Sequence, residues 1–192
     1  MTAILEYNAG NIKSVQNALG RLGYRSIITN KPAELEAAGK VIIPGVGEAG
    51  SAMAYLKERN LDAVIGSLKQ PVLGICLGLQ LMCRFSEEGN TSCLGIFNAD
   101  VSLFPPADKI PHMGWNNFIT LKGDLFRGVE ADEDVYYVHS YYAGICPDTS
   151  ATCDYILPFS AAMQKNNFYA VQFHVEKSAK TGERILKNFL EL

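Results

Sequence analysis

Residues 71–83 read PVLGICLGLQLMC, and they decide how the rest of the chain is to be taken. An apolar run from Pro71 to Ile75 gives way at Cys76 to a helical pattern, with Gly74 two positions before the cysteine and Gly78 two positions after it. Gly-x-Cys-x-Gly has the form of a nucleophile elbow, a strand-to-helix turn so tight that small residues are needed at both flanking positions. Such a turn exposes its central residue and sets the sulfur at a helix N-terminus, where unpaired N–H groups and the macrodipole favour a thiolate. The N–H of Leu77 points toward the same space and suits an oxyanion. A free cysteine is often merely a small buried apolar residue. That plain reading serves Cys83, Cys93, Cys146 and Cys153, whereas the paired glycines set Cys76 apart.

The sequence on either side places this elbow in a parallel sheet. AILEY (3–7), RSIIT (25–29), KVIIPG (40–45) and PVLGI (71–75) are short β-rich runs. Between them lie helical patterns at 11–22, from Pro32, and from Ser51 to about Lys69. This alternation predicts an α/β fold, an open, mostly parallel twisted sheet with helices on both faces. Beyond Ser86 the runs IFNADVSLF, NNFITL, VYYVHSYYAG, CDYILPF and FYAVQFHV predict antiparallel strands feeding back to the sheet, closed by a helix carrying Ile185, Leu186, Phe189 and Leu190.

The chain has 192 residues, 48% of them hydrophobic and 19% charged, with 17 Lys plus Arg against 20 Asp plus Glu. That length predicts one domain over 1–192, and the mildly acidic balance gives no reason to expect nucleic acid or anionic lipid as a partner. No segment approaches membrane-spanning length, and five cysteines without a CxxC pair encourage neither a disulfide framework nor a metal site. A reducing cytoplasm is the expected setting.

A nucleophile needs a base, and the chain has three histidines. In VQFHVEKS (171–178), His174 and Glu176 are two apart on a strand-like run, so both side chains are expected on one face, with the carboxylate orienting the imidazole. Neither His112 nor His139 has a carboxylate at that spacing. PGVGEAG (44–50) is a glycine-rich turn after an apolar strand, without the lysine of a Walker motif and without an acid for a ribose about 20 residues on. A second oxyanion N–H, from the Val46–Gly47 peptide, is the better use for it.

With Cys76 in GICLGLQ, the PGVG loop and a late His-x-Glu, the chain resembles the class I glutamine amidotransferases, whose flavodoxin-like architecture agrees with the pattern above. Within that class, YNAGN (7–11), PHMGWN (111–116), YYVHSYY (136–142) and FHVEKS (173–178) resemble glutaminase subunits that form a heterodimer with a (β/α)8-barrel cyclase subunit. One departure is Val175, where the family usually has proline. The resemblance implies a Cys76–His174–Glu176 triad, oxyanion donors at Val46, Gly47 and Leu77, and a glutamine pocket with Gly45, Gln80, Ser140 and Tyr141. It implies a subunit interface at Asn11, Trp115, Tyr136 and Lys177, no cofactor, and no metal. A stand-alone cysteine hydrolase or DJ-1-like protein would share the elbow without the glutamine pocket. A silent binding subunit would have no use for the intact triad.

Overall fold

The computed structural model describes residues 1–192. Four short runs in its first half form strands β1 (Thr2–Leu5), β2 (Ser26–Thr29), β3 (Lys40–Ile43) and β4 (Val72–Ile75). All are parallel: β1 pairs with β2 and β3, and β3 with β4. Their apolar residues alternate between two cores. Ala3, Leu5, Val41, Ile43 and Val72 belong to one, while Ile4, Ile42, Leu73 and Ile75 belong to the other. Burial on both faces is why these strands read as nearly unbroken apolar runs.

The connecting helices are α1 (Ile12–Arg21), α2 (Pro32–Ala37), α3 (Ala49–Glu58) and α4 (Leu61–Ser67), with α5 (Leu77–Met82) following β4. The single helix expected from Ser51 to Lys69 is in fact two. Asn60 breaks it with φ of 54°, a left-handed conformation that asparagine tolerates better than most residues. The first of the pair begins earlier than expected because the Glu48 carboxylate accepts the N–H groups of Gly50 and Ser51, both at 2.7 Å.

The second half supplies β5 (Phe85–Ser86), β6 (Thr91–Ser92), β7 (Asp100–Leu103), β8 (His112–Asn116), β9 (Thr120–Leu121), β10 (Val135–His139), β11 (Tyr141–Ala143), β12 (Thr149–Tyr155), β13 (Leu157–Lys165), β14 (Phe168–Val171) and the closing helix α6 (Ala179–Leu190). β14 returns parallel against β4, and β13, β12 and β9 extend the sheet in antiparallel pairs, giving the order β2-β1-β3-β4-β14-β13-β12-β9. The expected return of all the later strands to this sheet is not what occurs. β8 and β10 form a separate two-stranded ribbon, and β11-β7-β5-β6 form a small sheet of four. The run 135–140 alternates buried Val135, Tyr137 and His139 with half-buried Tyr136, Val138 and Ser140. That is the pattern of a strand covered on one face only, suited to lying on a sheet rather than within it. Ile185, Leu186, Phe189 and Leu190 of α6 are all buried, as their spacing predicts. No helix is long and apolar enough to cross a membrane.

Candidate active site

Cys76 sits where β4 hands over to α5. Its N–H donates to the Val171 carbonyl at the end of β14 (2.8 Å), and its own carbonyl accepts from the N–H groups of Leu79 (3.0 Å) and Gln80 (3.3 Å). Clamped between sheet and helix, it adopts φ 52° and ψ −105°, a conformation that costs a non-glycine residue about 1–3 kcal/mol and persists only when its surroundings impose it. The glycines allow the imposition. A Cβ on Gly74 would lie 2.7 Å from the Gly78 carbonyl carbon, and one on Gly78 would lie 2.2 Å from the Ile43 oxygen. The elbow expected from the sequence is therefore present, with Cys76 only 7% exposed, lining a cleft of about 280 Å³.

His174 and Glu176 come together, but not on a strand. β14 ends at Val171, and Val175–Lys177 form a 3-10 turn. The ribbon competes for the backbone here. The His174 N–H donates to the Tyr136 carbonyl (2.8 Å), while the Ser178 hydroxyl accepts the Tyr136 N–H (2.9 Å) and donates to the His174 carbonyl (2.7 Å). With those groups committed, the chain turns instead of continuing the ladder. His174 Nδ1 still lies 2.8 Å from Glu176 Oε1, both side chains being at most 1% exposed. Val175 takes the first position of the turn, where proline is also at home, so the valine leaves the turn intact.

Burial alone would lower the His174 pKa, but the Cys76 thiol and the Glu176 carboxylate outweigh it and raise the value to about 10. Negative charge on these two neighbours favours the protonated imidazole. Its Nε2 has no hydrogen-bond partner in the protein and remains available to the reacting groups. Asn11, expected at a subunit interface, donates its amide to Glu176 Oε1 and lies 3.4 Å from His174 Nδ1, so it touches two members of the expected triad. The other expected interface residues lie close by. Trp115, 54% exposed, is opposite Tyr136 in the ribbon with its ring edge-on at 5.8 Å, and Lys177 is exposed beside Glu176.

Gly45, Val46, Gly47, Leu77, Gln80, Ser140 and Tyr141, all expected from the sequence, line the same cleft as Cys76 and His174. The Val46 carbonyl accepts the Gly10 N–H at 2.7 Å. Carbonyl and N–H of a trans peptide point in opposite directions, so the Gly47 N–H is turned away from Gly10. Leu77 opens α5, where N–H groups have no partner one turn back. Both hydrogens of the Gln80 amide are engaged, at 3.1 Å from the Tyr141 carbonyl and 3.1 Å from Gln172 Oε1, which leaves its oxygen for a ligand. Three contributors escaped the sequence reading. Glu88 is the one acid in the lining, held by the Ala49 N–H (2.8 Å), with burial raising its pKa. In the polar run SEEGN it looks like any surface glutamate. Tyr7, buried, donates its hydroxyl to the Pro44 carbonyl beneath the glycine loop. Gln172 is the third; its only signal was a polar residue inside an apolar run.

The other two histidines are spoken for. His112 Nδ1 and His139 Nε2 are 3.0 Å apart, His139 Nδ1 is 2.7 Å from the Tyr141 carbonyl, and His112 stacks on Tyr155 at 4.0 Å. Burial lowers the pKa of His112 to about 4 and, chiefly, that of His139 to about 3, against an ordinary value of 6.5. Between those values the unfolded chain binds protons that the folded chain refuses. The stability due to these two neutral side chains is thus present above about pH 6.5 and lost as pH falls toward 4. Denaturant unfolding over the interval between about pH 6.5 and 5, above the range where carboxylates titrate and below the span from about 6.5 to about 10 over which His174 acts in the opposite sense, should show a loss on the order of 1–3 kcal/mol. A flat profile across that interval contradicts the assignment of both rings as neutral.

Comparison with known proteins agrees with this geometry. Residues 3–192 match the family model described as glutamine amidotransferase class-I. The chain is 61% identical over 193 residues to the imidazole glycerol phosphate synthase subunit HisH of Bacteroides fragilis (strain YCH46), covering 99% of this chain and 98% of that one. It is 45% identical over 192 residues to the protein of the same name in Escherichia coli (strain K12), covering 98% of each. Among solved structures, PurLQS from Thermotoga maritima superposes with a TM-score of 0.75 at 14% identity, over 99% of this chain and 97% of that one. A glutamine amidotransferase from the same organism superposes with a TM-score of 0.66 at 18% identity, over 99% and 82%. The structural likenesses concern the fold.

Proposed function

The chain belongs to the class I glutamine amidotransferase family, and from that premise we propose that it is the glutaminase subunit of imidazole glycerol phosphate synthase, acting in histidine biosynthesis. The observation that carries the reaction is that Cys76, His174, Gly47 and Leu77 line one cleft. Near-full-length identity to relatives bearing that name supports the particular synthase.

In this reading the Cys76 sulfur attacks the carboxamide carbon of glutamine, and the displaced carbonyl electron pair comes to rest on an oxygen facing the Gly47 and Leu77 N–H groups. Fixed donors at such a position typically contribute about a hundred- to a thousand-fold each. His174, already carrying a proton, gives it from Nε2 to the departing nitrogen, so ammonia leaves and a thioester remains. The neutral imidazole then takes a proton from water, which attacks the thioester and releases glutamate and the sulfur. Glu176, with Asn11 behind it, holds the ring in the required tautomer through both halves. Glu88 suits the α-ammonium group of the substrate, and the Gln80 oxygen, with Ser140 and Tyr141, suits its remaining polar groups.

Ammonia freed into neutral water would be protonated and lose its nucleophilicity. Direct transfer follows, to a (β/α)8-barrel cyclase subunit that makes imidazole glycerol phosphate and aminoimidazole carboxamide ribotide. The exposed Trp115 and Lys177, beside Tyr136 and Asn11, mark the face for that partner, and the cytoplasm is the setting. A stand-alone hydrolase needs no such face, and a silent subunit needs no triad. The test is glutamine turnover by this chain alone, with the barrel subunit encoded in the same genome, and with that subunit plus its nucleotide ligand. Formation of a one-to-one complex and a stepwise rise in turnover are expected. Absence of a complex contradicts the partner, and equal turnover in all three conditions contradicts the coupling.

A further inference from the structure

Gln172 is fully buried two residues before the base and has no place in the reaction as drawn so far. Its Nε2 lies 3.5 Å from the Cys76 sulfur, an ordinary length for an N–H donor to sulfur, and its Oε1 lies 3.1 Å from Gln80 Nε2. A chain of contacts settles which end of each amide is which. The Tyr141 carbonyl accepts only, so the Gln80 atom 3.1 Å from it must be nitrogen. That nitrogen also faces Gln172, so the Gln172 atom it meets must be oxygen, and the other terminal atom, toward Cys76, must be nitrogen. Exchange of the Gln172 amide would set two donors face to face, and exchange of the Gln80 amide would set its oxygen against the Tyr141 carbonyl and Gln172 Oε1, acceptor against acceptor.

We propose that Gln172 is a further residue of the reaction centre, a fixed N–H donor to the Cys76 sulfur that holds the thiolate in place and stabilises it as the leaving group when the thioester is hydrolysed. The inference rests on the reading of Cys76 as nucleophile. An amide suits the role because it donates a hydrogen bond without surrendering its proton. It stabilises negative sulfur and leaves His174 as the group that exchanges protons with substrate and water. The preference is for the anion. Hydrogen bonds to charged groups are markedly stronger than those to neutral ones, so the donor is strongest before attack and again when the carbon–sulfur bond breaks. The elbow's strained backbone places the sulfur, and Gln172 limits where it turns.

The test is the rate of Cys76 alkylation by iodoacetamide against pH, read from the mass of the Cys76 peptide, in the parent chain and in Gln172→Met, which keeps the length and removes the donor. Alkylation of the variant should be about tenfold slower near pH 7 and reach the same plateau at high pH. A merely structural role would lower the plateau or the folded fraction without moving the profile. A second measurement needs no variant: in the parent chain, the side-chain amide proton of Gln172 should shift in NMR spectra with the midpoint of the alkylation profile and lose that dependence once Cys76 is alkylated. Coincident alkylation profiles for a folded variant, or an amide proton indifferent to pH, overturn the inference while leaving the nucleophile standing. A parent Cys76 that resists alkylation at every pH overturns both.

Discussion

Replacing Cys76 with alanine is expected to reduce glutamine hydrolysis roughly a million-fold, the scale lost when the nucleophile of a triad is removed. The same variant, bound to the proposed barrel subunit, should leave synthesis from added ammonium salts intact. The two halves of this expectation have different origins. Glutamine hydrolysis depends on a sulfur for which the cleft offers no substitute, since the other four cysteines lie outside its lining. The ammonium-driven reaction belongs to the barrel subunit and needs no sulfur from this chain, and alanine fits the space while easing nothing of the turn's geometry, which Gly74 and Gly78 allow. Because φ of 52° is imposed on the residue whatever its side chain, the elbow should survive. Comparison of glutamine-driven and ammonium-driven synthesis in one preparation checks both halves. Retained glutamine turnover would refute the nucleophile, and failure to form the one-to-one complex would show the variant to be misfolded.

His174→Ala should cost about as much as Cys76→Ala, because members of a triad act as a unit, whereas Glu176→Gln should cost less, roughly ten-thousand-fold. Removing the imidazole takes away both the proton for the leaving nitrogen and the base for water. Removing the carboxylate's charge leaves the ring in place but withdraws one of the two groups that keep it protonated, Cys76 being the other. The glutaminase pH profile of Glu176→Gln should therefore change shape as well as height. His139→Ala is the informative control. That ring is occupied by His112 on one side and the Tyr141 carbonyl on the other, so its loss should disturb the pocket wall without abolishing turnover. A silent His174→Ala beside an inactive His139→Ala would mean that the base has been misassigned.

What was legible in the sequence was what local chemistry determines. The elbow could be read because its demands fall within five consecutive residues, Gly74 to Gly78, and the parallel strands because burial on both faces leaves no polar alternation to misread. His174 and Glu176 were paired correctly by spacing, yet a strand was expected where a 3-10 turn stands. The cause lies in Tyr136, which claims the His174 N–H from outside the window any periodicity covers, with the nearby Ser178 hydroxyl holding the His174 carbonyl. Asn60 ended a helix that apolar spacing carried onward. Gln172, Glu88 and the triad contact of Asn11 were hidden for one shared reason: each acquires its meaning from residues between 39 and 165 positions away.

The link between Tyr136 and His174 has a mechanical side. Cys76 ends a strand of the large sheet, while His174, just past the neighbouring strand, is tied by its own N–H to the two-stranded ribbon. Sulfur and imidazole thus behave like the two jaws of a caliper, one fixed to the beam and the other to a slide. The slide carries Met113 and Trp115 on its outer surface, both more than half exposed. The ribbon that holds the base by its backbone is thus the same ribbon that presents Met113 and Trp115 to solvent, whereas the nucleophile is anchored to the sheet alone.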